Sequence, residues 1–287
     1  MTQQSDPARN ATTDPTSGPT ADSVGQTYEL FSEAGATTAL GGNIHVGYWD
    51  DDQDLPIAEA TDRLTDLVAE RLAPRPGQRL LDVGCGNGLP ALRIAQRRRV
   101  RVTGITVSRP QVEQASREAD GSEVRGLVDF RFADAMKLPY EDGSFDGAWA
   151  IESLLHMPDQ SAALAEIHRV VRPGGRLVVA DLCQRQPFTG EDRSVLDGMV
   201  RAYEIAGINT PDEHRAHLAE AGWELLELAD IGEQVRASYR HVSATFRELA
   251  TTLDGFAAEQ ITEAADLMEA FGRHPHAGYL LITAQRS

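Results

Sequence analysis

A glycine-rich turn follows an apolar run near residue 80 and is well suited to bind a ligand. The stretch reads Leu80-Leu81-Asp82-Val83-Gly84-Cys85-Gly86-Asn87-Gly88. Because glycine has no Cβ and tolerates positive φ, the backbone at Gly84, Gly86 and Gly88 can approach a ligand closely. The dinucleotide-binding fingerprint of dehydrogenases places glycines at relative positions 1, 3 and 6, but the sixth position here is Leu89. A nicotinamide-dependent dehydrogenase is therefore the weaker interpretation.

Three further polar side chains follow apolar runs and are suited to proton transfer. Glu152 and His156 come directly after the run 145–151, and Asp181 lies near the end of the run 176–182. Imidazole has an ordinary pKa near 6.5, and carboxylates also serve as general acids and bases. These side chains need a scaffold that brings the ends of several strands together.

The chain from residue 79 alternates between strand and helix patterns. Alternation of this kind predicts an α/β fold with a doubly wound, mostly parallel sheet. The predicted strands are Arg79–Val83, Val100–Val107, Val128–Phe132, Phe145–Ile151 and Arg176–Leu182, with a turn at Pro173–Gly175 before the last of them. The predicted helices between them include Leu89–Arg98, a helix capped by Ser108, and Pro158–Val171.

After Leu182 the pattern becomes mainly helical. Glu191–Ala206, Pro211–Ala221 and most of 235–271 have helical spacing, whereas Trp223–Asp230 and Gly278–Ala284 have the pattern of strands. Ligands of doubly wound sheets bind at the carboxyl edge of the strands, so we interpret this insertion as a helical substrate lid over that edge.

We divide the chain into four parts. Residues 1–24 are rich in Thr, Ser, Asp, Gln, Pro and Gly and are predicted to be a disordered tail. Residues 25–72 form a predicted helical cover that includes the amphipathic helix Ile57–Leu72. The predicted cofactor-binding core spans 73–186, and 187–287 hold the remaining strands and the lid.

Composition and charge narrow the class of protein. The formal net charge is −17, which disfavours nucleic acid as a partner, and the run Arg97-Arg98-Arg99 fits the end of a helix. No apolar run is long enough to span a bilayer, and the amino terminus lacks a signal pattern. Cys85 and Cys183 are interpreted as reduced thiols of a cytoplasmic protein. His214 and His217 are interpreted as exposed helix residues, and no metal site is predicted.

Several motifs in one order resemble class I S-adenosylmethionine (SAM)-dependent methyltransferases of bacterial natural-product biosynthesis. The resemblance covers about residues 24–186 and includes sugar O-methyltransferases and a [4+2] cyclase homologue. The motifs are Asn43–Asp50, Ala60–Asp66, the glycine turn, Val102–Ile105, Ala133–Met136, Glu152–Asp159 and Arg172–Gly175. This resemblance implies a seven-stranded Rossmann-like sheet, SAM as cofactor with S-adenosylhomocysteine as product, and a small-molecule acceptor. The oligomeric state stays open, with a homodimer as one option.

The resemblance also implies which residues bind SAM. Asp82 would hold the methionine ammonium group, and Gly84, Gly86 and Gly88 would let the backbone approach. Thr106 or Gln111 would bind the ribose in place of the usual acidic residue. Asp134 would accept a hydrogen bond from the adenine amino group beside the Ala135 backbone, with Met136 either on the adenine face or in the core. Tyr28 and the stretch with His45, Tyr48 and Trp49 would close over the cofactor.

By the same resemblance, His156 would be the general base for O-methylation of a hydroxyl, with Asp181 assisting or orienting it. The pattern has one histidine here, Leu155-His156, where the sugar methyltransferases have two. N-methylation, which needs no base, therefore stays open. So do C-methylation of a prenyl diphosphate with Glu152 as base, and a SAM-binding cyclase without methyl transfer.

Overall fold

The computed structural model describes residues 41–50 and 55–287. Its centre is a seven-stranded sheet with the order β3-β2-β1-β4-β5-β7-β6. Its strands are β1 (Arg79–Val83), β2 (Arg101–Thr106), β3 (Val128–Phe132), β4 (Phe145–Ile151), β5 (Val171–Gln184), β6 (Trp223–Asp230) and β7 (Ala277–Arg286). All neighbouring pairs are parallel except those of β7, which runs antiparallel to β5 and β6. The predicted doubly wound α/β fold is confirmed.

Helices cover both faces of this sheet. Within the described residues they are α1 (Ile57–Leu72), α2 (Leu89–Arg98), α3 (Arg109–Asp120), α4 (Gln160–Val170), α5 (Arg193–Ala202), α6 (Pro211–Glu220), α7 (Gly232–Ala250) and α8 (Gly255–Arg273). Several begin where the sequence supplies a cap. Ser108 Oγ accepts the Gln111 amide at the start of α3, as predicted, and Thr210 and Glu213 form a capping box at α6.

The core has a layer on each face of the sheet. Leu80 packs on the face covered by α1, α2 and α3, and its neighbour Leu81 packs on the opposite face with α4 and α6. Both leucines are buried. Strands of a parallel sheet that are covered on both faces read as continuous apolar runs, which explains why the sequence predicted the central strands β1 and β4 well.

The structure corrects the predicted turn before the fifth strand. Residues 173–175 lie inside β5, which begins at Val171 rather than Arg176. Val171 pairs with Phe145 and Arg176 pairs with Gly147, so the intervening residues form a wide bulge opposite a single residue of β4. Gly174 has a φ of +77°, and a Cβ on Gly175 would lie 2.7 Å from the Asp146 carbonyl oxygen. Glycine therefore allows the strand to bend and then continue pairing.

The helical region after β5 is split between two locations. Helix α6 packs beside α4 and β6 and belongs to the layer on the sheet face, so it is not part of a lid. Helices α5, α7 and α8 follow the carboxyl ends of β5 and β6, and we call them the edge helices. The first is shorter than predicted and ends at Ala202, and the last two are separated at 251–254.

The stretch Asn43–Asp50, which we call the cover segment, bridges α1 and the edge helices. The Tyr48 amide donates to Ala60 O and the Trp49 amide to Gln234 O, each at 2.9 Å. The Gly47 amide donates to Ser238 Oγ at 2.8 Å. The predicted tail 1–24, Tyr28 and the first part of the predicted cover 25–72 lie outside the described residues. In the described part of the chain, every helix is too short or too polar to span a bilayer.

Candidate functional site

A cavity of about 370 Å³ opens at the carboxyl ends of β1, β2, β3 and β4. Its walls come from five short stretches of chain that the sheet brings together. They are Ile44–His45, residues of 82–90, residues of 105–111, Ala133–Met136 and residues of 151–158. The carboxyl edge is where the alternating pattern predicted a ligand site.

Asp82 contributes a buried carboxylate to the cavity wall. It lies on β1 opposite Trp149 of β4, and its Oδ2 has no hydrogen-bond partner among the described residues. Burial raises its pKa to about 8, and the nearby Trp149 side chain opposes that rise. A buried carboxylate oxygen without a donor is costly, so this position suits a cationic ligand group that supplies N–H donors.

The glycine turn divides into two residues that line the cavity and one that does not. Gly84 and Gly86 line it at φ values of +78° and +52°, and a Cβ on either would lie within 2.5 Å of Ser153 or Ile44. Gly88 does not line it. A Cβ there would lie 2.7 Å from the Phe130 ring, so Gly88 permits close packing of α2 rather than approach to a ligand.

Neutral polar groups line the cavity beyond β2. Thr106 Oγ1 donates to Gln111 Oε1 at 2.7 Å, and the Ser108 amide donates to the same hydroxyl oxygen at 3.2 Å. All three residues line the cavity. The hydroxyl and amide groups are thus held in one network that can exchange hydrogen bonds with ligand hydroxyls.

The wall beyond β3 combines an exposed carboxylate with apolar surface. Asp134 Oδ1 accepts the Met136 amide at 2.9 Å, which closes a tight turn. Ala135 is buried, Met136 is partly buried, and all three line the cavity. This wall suits a flat apolar group with a polar edge.

Glu152 is a strained, buried acid on the cavity wall after β4. Its φ is +45°, which is uncommon for a residue other than glycine. Its Oε1 accepts the Val46 amide at 2.8 Å and the Tyr279 hydroxyl at 3.0 Å. Burial raises its pKa to about 7 against the effect of these two donors. Strained residues of this kind cluster at functional sites.

His156 ends a single 3₁₀ turn, Leu154–His156, and lines the cavity. Its Nδ1 lies 2.8 Å from the carbonyl oxygen of Glu204. A carbonyl oxygen only accepts, so Nδ1 carries the proton and Nε2 is the basic nitrogen of the neutral ring. Burial lowers the pKa of His156, and the bond to Glu204 opposes that change.

Asp181 does not line the cavity. It is buried on β5, where its Oδ2 accepts the Leu155 amide at 3.2 Å and its Oδ1 accepts the Leu182 amide at 3.0 Å. Burial, and then the charge of Glu152, raise its pKa well above the ordinary range. The carboxyl therefore holds the turn that carries His156 and makes no direct contact with a ligand in the cavity.

Two aromatic residues expected over the ligand lie elsewhere. Trp49 is fully buried, stacks on His241 at 5.4 Å and donates from Nε1 to Leu55 O, and Tyr48 is also absent from the cavity wall. Contact of this pair with the cofactor therefore stays a prediction. Within the same segment, Ile44 and His45 line the cavity instead. An aromatic pattern alone does not reveal which side of a segment faces a ligand.

His45 is a neutral part of this wall. Its Nδ1 donates to Val46 O at 2.8 Å, and its Nε2 lies 3.2 Å from Thr65 Oγ1. Burial lowers its pKa to about 4. The ring therefore shapes the cavity without adding charge.

One other expectation about a polar residue needs correction. His214 is buried rather than exposed, and burial lowers its pKa to about 4. The role of Glu204 was missed, because its carbonyl contacts His156 through the backbone and no side-chain pattern signals this contact. No residue of the edge helices is among those that line the cavity, so an acceptor-covering lid stays a prediction.

The chain that forms this cavity is similar to known methyltransferases. Residues 81–179 match a family model described as a methyltransferase domain. The 27-O-demethylrifamycin SV methyltransferase of Amycolatopsis mediterranei (strain S699) is 39% identical over 269 residues, 93% of this chain and 98% of the relative. The O-methyltransferase cnsE of Penicillium expansum is 40% identical over 287 residues, with 100% of both chains covered.

A solved structure is similar along most of the chain. The crystal structure of the [4+2]-cyclase SpnF has a TM-score of 0.81 and 36% sequence identity, with 94% of this chain and 97% of that chain covered. The cyclase therefore shares the fold described above over most of its length.

Proposed function

Since this chain belongs to the class I SAM-dependent methyltransferases of natural-product biosynthesis, we propose that it methylates a hydroxyl oxygen of an uncharged small molecule, with His156 as general base. The observation that carries this proposal is the hydrogen bond from His156 Nδ1 to the Glu204 carbonyl, which leaves Nε2 as the basic nitrogen at the cavity.

The cavity wall fits the parts of SAM. Asp82, with its unpartnered Oδ2, would accept the methionine ammonium group, and Gly84 and Gly86 would admit the methionine chain. The Thr106–Gln111 pair would bind the ribose hydroxyls. The Asp134–Met136 wall would hold the adenine.

His156 provides the proton acceptor that an alcohol requires. When bound, SAM supplies an activated methyl group on a sulfonium. The acceptor hydroxyl would give its proton to His156 Nε2 while its oxygen gains the methyl group; the bond between the methyl group and sulfur breaks, and S-adenosylhomocysteine leaves as a neutral thioether. The Glu204 carbonyl then stabilises the doubly protonated ring through Nδ1. A positioned base contributes about 10²- to 10⁴-fold to the rate.

The charges around the cavity favour an uncharged acceptor. Among the described residues that line it, none is Arg or Lys, whereas Asp82 and Glu152 are acidic. Three arginines of the edge helices pair with acidic neighbours: Arg193 with Asp197, Arg236 with Glu233, and Arg247 with Asp266 and Glu269. Nothing in this wall supports C-methylation of a prenyl diphosphate.

A second candidate is cyclisation without methyl transfer. The likeness to the [4+2]-cyclase SpnF over 94% of this chain favours it. The two functions differ in one respect that is simple to measure, which is whether methyl label leaves SAM.

The test is transfer of labelled methyl from SAM to a panel of hydroxylated macrolides, glycosylated aromatics, amines and prenyl diphosphates. Wild type is compared with His156→Ala and with a control, His168→Ala, which changes a histidine of α4 that does not line the cavity. We expect label on a hydroxyl and a 10²- to 10⁴-fold loss of turnover in His156→Ala only. SAM affinity should stay near normal in both variants.

Other outcomes overturn parts of the proposal. Label on a hydroxyl that persists in His156→Ala would remove the base role. Label on nitrogen or carbon would replace O-methylation with the corresponding alternative. Tight SAM binding with no label on any acceptor would favour the cyclase.

A further inference from the structure

We propose that Glu204 is a positioning residue that orients the His156 imidazole through its backbone carbonyl, within a loop anchored to edge helix α8. The loop spans 203–210, joins α5 to α6, and is called here the orienting loop. This inference rests on the proposed role of His156 as the base.

The orienting loop contacts the His156 turn at three points. The Glu204 carbonyl accepts from His156 Nδ1 at 2.8 Å. The amides of Ala206 and Gly207 both donate to Leu155 O, at 2.8 and 3.2 Å. The same turn is held from β5 by Asp181. Backbone groups of the loop thus fix both the ring and the main chain beside it.

The conformation of Glu204 determines where its carbonyl points. Its φ is +49°, in the left-handed region that a residue with a Cβ rarely adopts. The surrounding loop must hold this conformation, because strained backbone persists only where its neighbours impose it. A residue that rejects positive φ would therefore turn the carbonyl away from His156.

Contacts with the core hold the orienting loop in place. Asn209 Nδ2 donates to Gln160 Oε1 at 2.7 Å, and the Gln184 amide donates to Asn209 O at 2.9 Å. Ile205 and Ile208 are buried in the main core. The loop is therefore a rigid support for the ring.

A side-chain hydrogen bond joins the orienting loop to edge helix α8. The Tyr203 hydroxyl donates to the Ala264 carbonyl of α8 at 3.1 Å. The ring of His156 is therefore oriented by chain that is continuous with the edge helices. The predicted SAM-binding wall, in contrast, is built from β1, β2 and β3 and makes no use of this loop.

The test is a graded series at one position: Glu204→Gly, Glu204→Asn, Glu204→Ala and Glu204→Val. All four remove the carboxylate, but tolerance of positive φ falls from Gly and Asn to Ala and then to Val. We expect the Gly and Asn variants to keep kcat within about twofold of wild type. The Val variant should lose about 10- to 100-fold, because misplacing a catalytic group has effects of this size. SAM affinity should be unchanged throughout.

A second readout does not depend on turnover. Nitrogen NMR of histidine-labelled protein, with the His156 signals assigned from His156→Ala, reports which ring nitrogen carries the proton. Wild type and Glu204→Asn should show the Nδ1-protonated ring, and Glu204→Val should show a shift towards the Nε2-protonated form. If Glu204→Val does not fold, the milder Glu204→Ala variant carries the same comparison.

The outcomes distinguish the positioning role of Glu204 from the proposed base role of His156. In the His156→Ala background, Glu204→Val should cause no further loss of turnover, because a residue that acts through another is not additive with it. Equal turnover and the same ring tautomer across the Glu204 series, with a large loss in His156→Ala, would overturn the positioning role alone. Full turnover in His156→Ala would instead overturn the base.

Discussion

The backbone amide of Val46 donates a 2.8 Å hydrogen bond to Oε1 of Glu152, which joins the cover segment directly to the carboxyl end of β4. The Tyr279 hydroxyl of β7 donates to the same oxygen. One buried carboxyl thus links three parts of the chain that are far apart in sequence. Its protonation state therefore bears on stability as well as on the cavity.

The free energy of unfolding of the SAM-free protein should fall as the pH rises from about 6.5 to 8, above the range in which the buried His45 and His214 change stability in the opposite direction. In the folded chain Glu152 titrates at about 7 and Asp82 at about 8, whereas unfolded carboxyls titrate near 4. In this window the folded state keeps protons that the unfolded state has lost. Each such group lowers stability by up to about 1.4 kcal/mol per pH unit.

Urea unfolding at a series of pH values checks this prediction. Glu152→Gln keeps an oxygen acceptor for Val46 and Tyr279 but cannot titrate, so its free energy of unfolding should rise relative to that of wild type as the pH rises from 5 to 7. The control is Glu166→Gln, because pairing with Arg169 lowers the pKa of Glu166 and keeps it ionised throughout that window. An unchanged slope in Glu152→Gln would mean that Glu152 is already charged in the folded protein.

Asp82→Asn should weaken SAM binding by about 10- to 100-fold. A hydrogen bond to a charged group is worth about 1.5–3 kcal/mol, and each 1.4 kcal/mol is a factor of ten. Without SAM, the variant should be as stable as wild type or more stable above about pH 8, where wild type buries an ionised carboxylate with an unpartnered oxygen. Calorimetric titration with SAM and thermal unfolding of the ligand-free protein measure the two effects.

The exposed Asp134 offers a comparison for this result. Asp134→Asn keeps an acceptor for the Met136 amide and should reduce SAM affinity less than Asp82→Asn does. Equal SAM affinity in wild type and Asp82→Asn would refute the assignment of Asp82 to the ammonium group.

Ser238→Ala should lower the free energy of unfolding by about 1–3 kcal/mol. Ser238 Oγ accepts the Gly47 amide at 2.8 Å and is 3.3 Å from the Gly47 carbonyl, and the variant leaves both buried groups without this partner. Denaturant unfolding checks the value. Ser194→Ala removes an exposed serine from α5 and should change stability by less than about 0.5 kcal/mol. Equal effects of the two changes would mean that the cover segment is not held by Ser238.

Trp49→Phe should destabilise the fold while leaving SAM affinity within about twofold of wild type. The change removes the bond from Nε1 to Leu55 O and leaves space in a fully buried site, at a typical cost of about 1–3 kcal/mol. Met136→Ala should instead weaken SAM binding and change the free energy of unfolding little, because Met136 is only partly buried and lines the cavity. Thermal unfolding and SAM titration of both variants decide the matter. Loss of SAM affinity in Trp49→Phe without loss of stability would restore the aromatic residue to the binding site.

Much of the scaffold was predictable from sequence because local rules and burial agree there. Strands β1 and β4 are short, mostly apolar runs, and α1 shows clear helical spacing. The family and its cofactor followed from the ordered motifs, and both are confirmed. The start of β5 was wrong because Pro173 and the glycines after it usually end a strand, whereas here they form a bulge within one.

The parts that sequence could not supply depend on contacts between distant backbone groups. His156 is joined to a carbonyl 48 residues further on, at a glutamate whose side chain is irrelevant to the bond. Trp49 and His45 sit four residues apart in one segment, yet one is fully buried beside His241 and the other faces the cavity. The pattern of side chains in the sequence does not show which distant carbonyl a residue contacts or which residue of a segment faces the cavity.

The helix pair α7–α8 is inserted between two neighbouring antiparallel strands, and its two ends meet. Asp230, at the end of β6, pairs with Leu280 of β7, and the Arg236 side chain at the start of α7 donates to the Gly272 carbonyl near the end of α8. The connection between β6 and β7 is therefore closed where α7 begins and α8 ends, independently of the rest of the two helices. Lengthening such a closed loop costs little, about 0.6 kcal/mol for each doubling. Evolution, or an engineer grafting the helices of a relative, can thus exchange this module and diversify the chemistry served by one unchanged sheet.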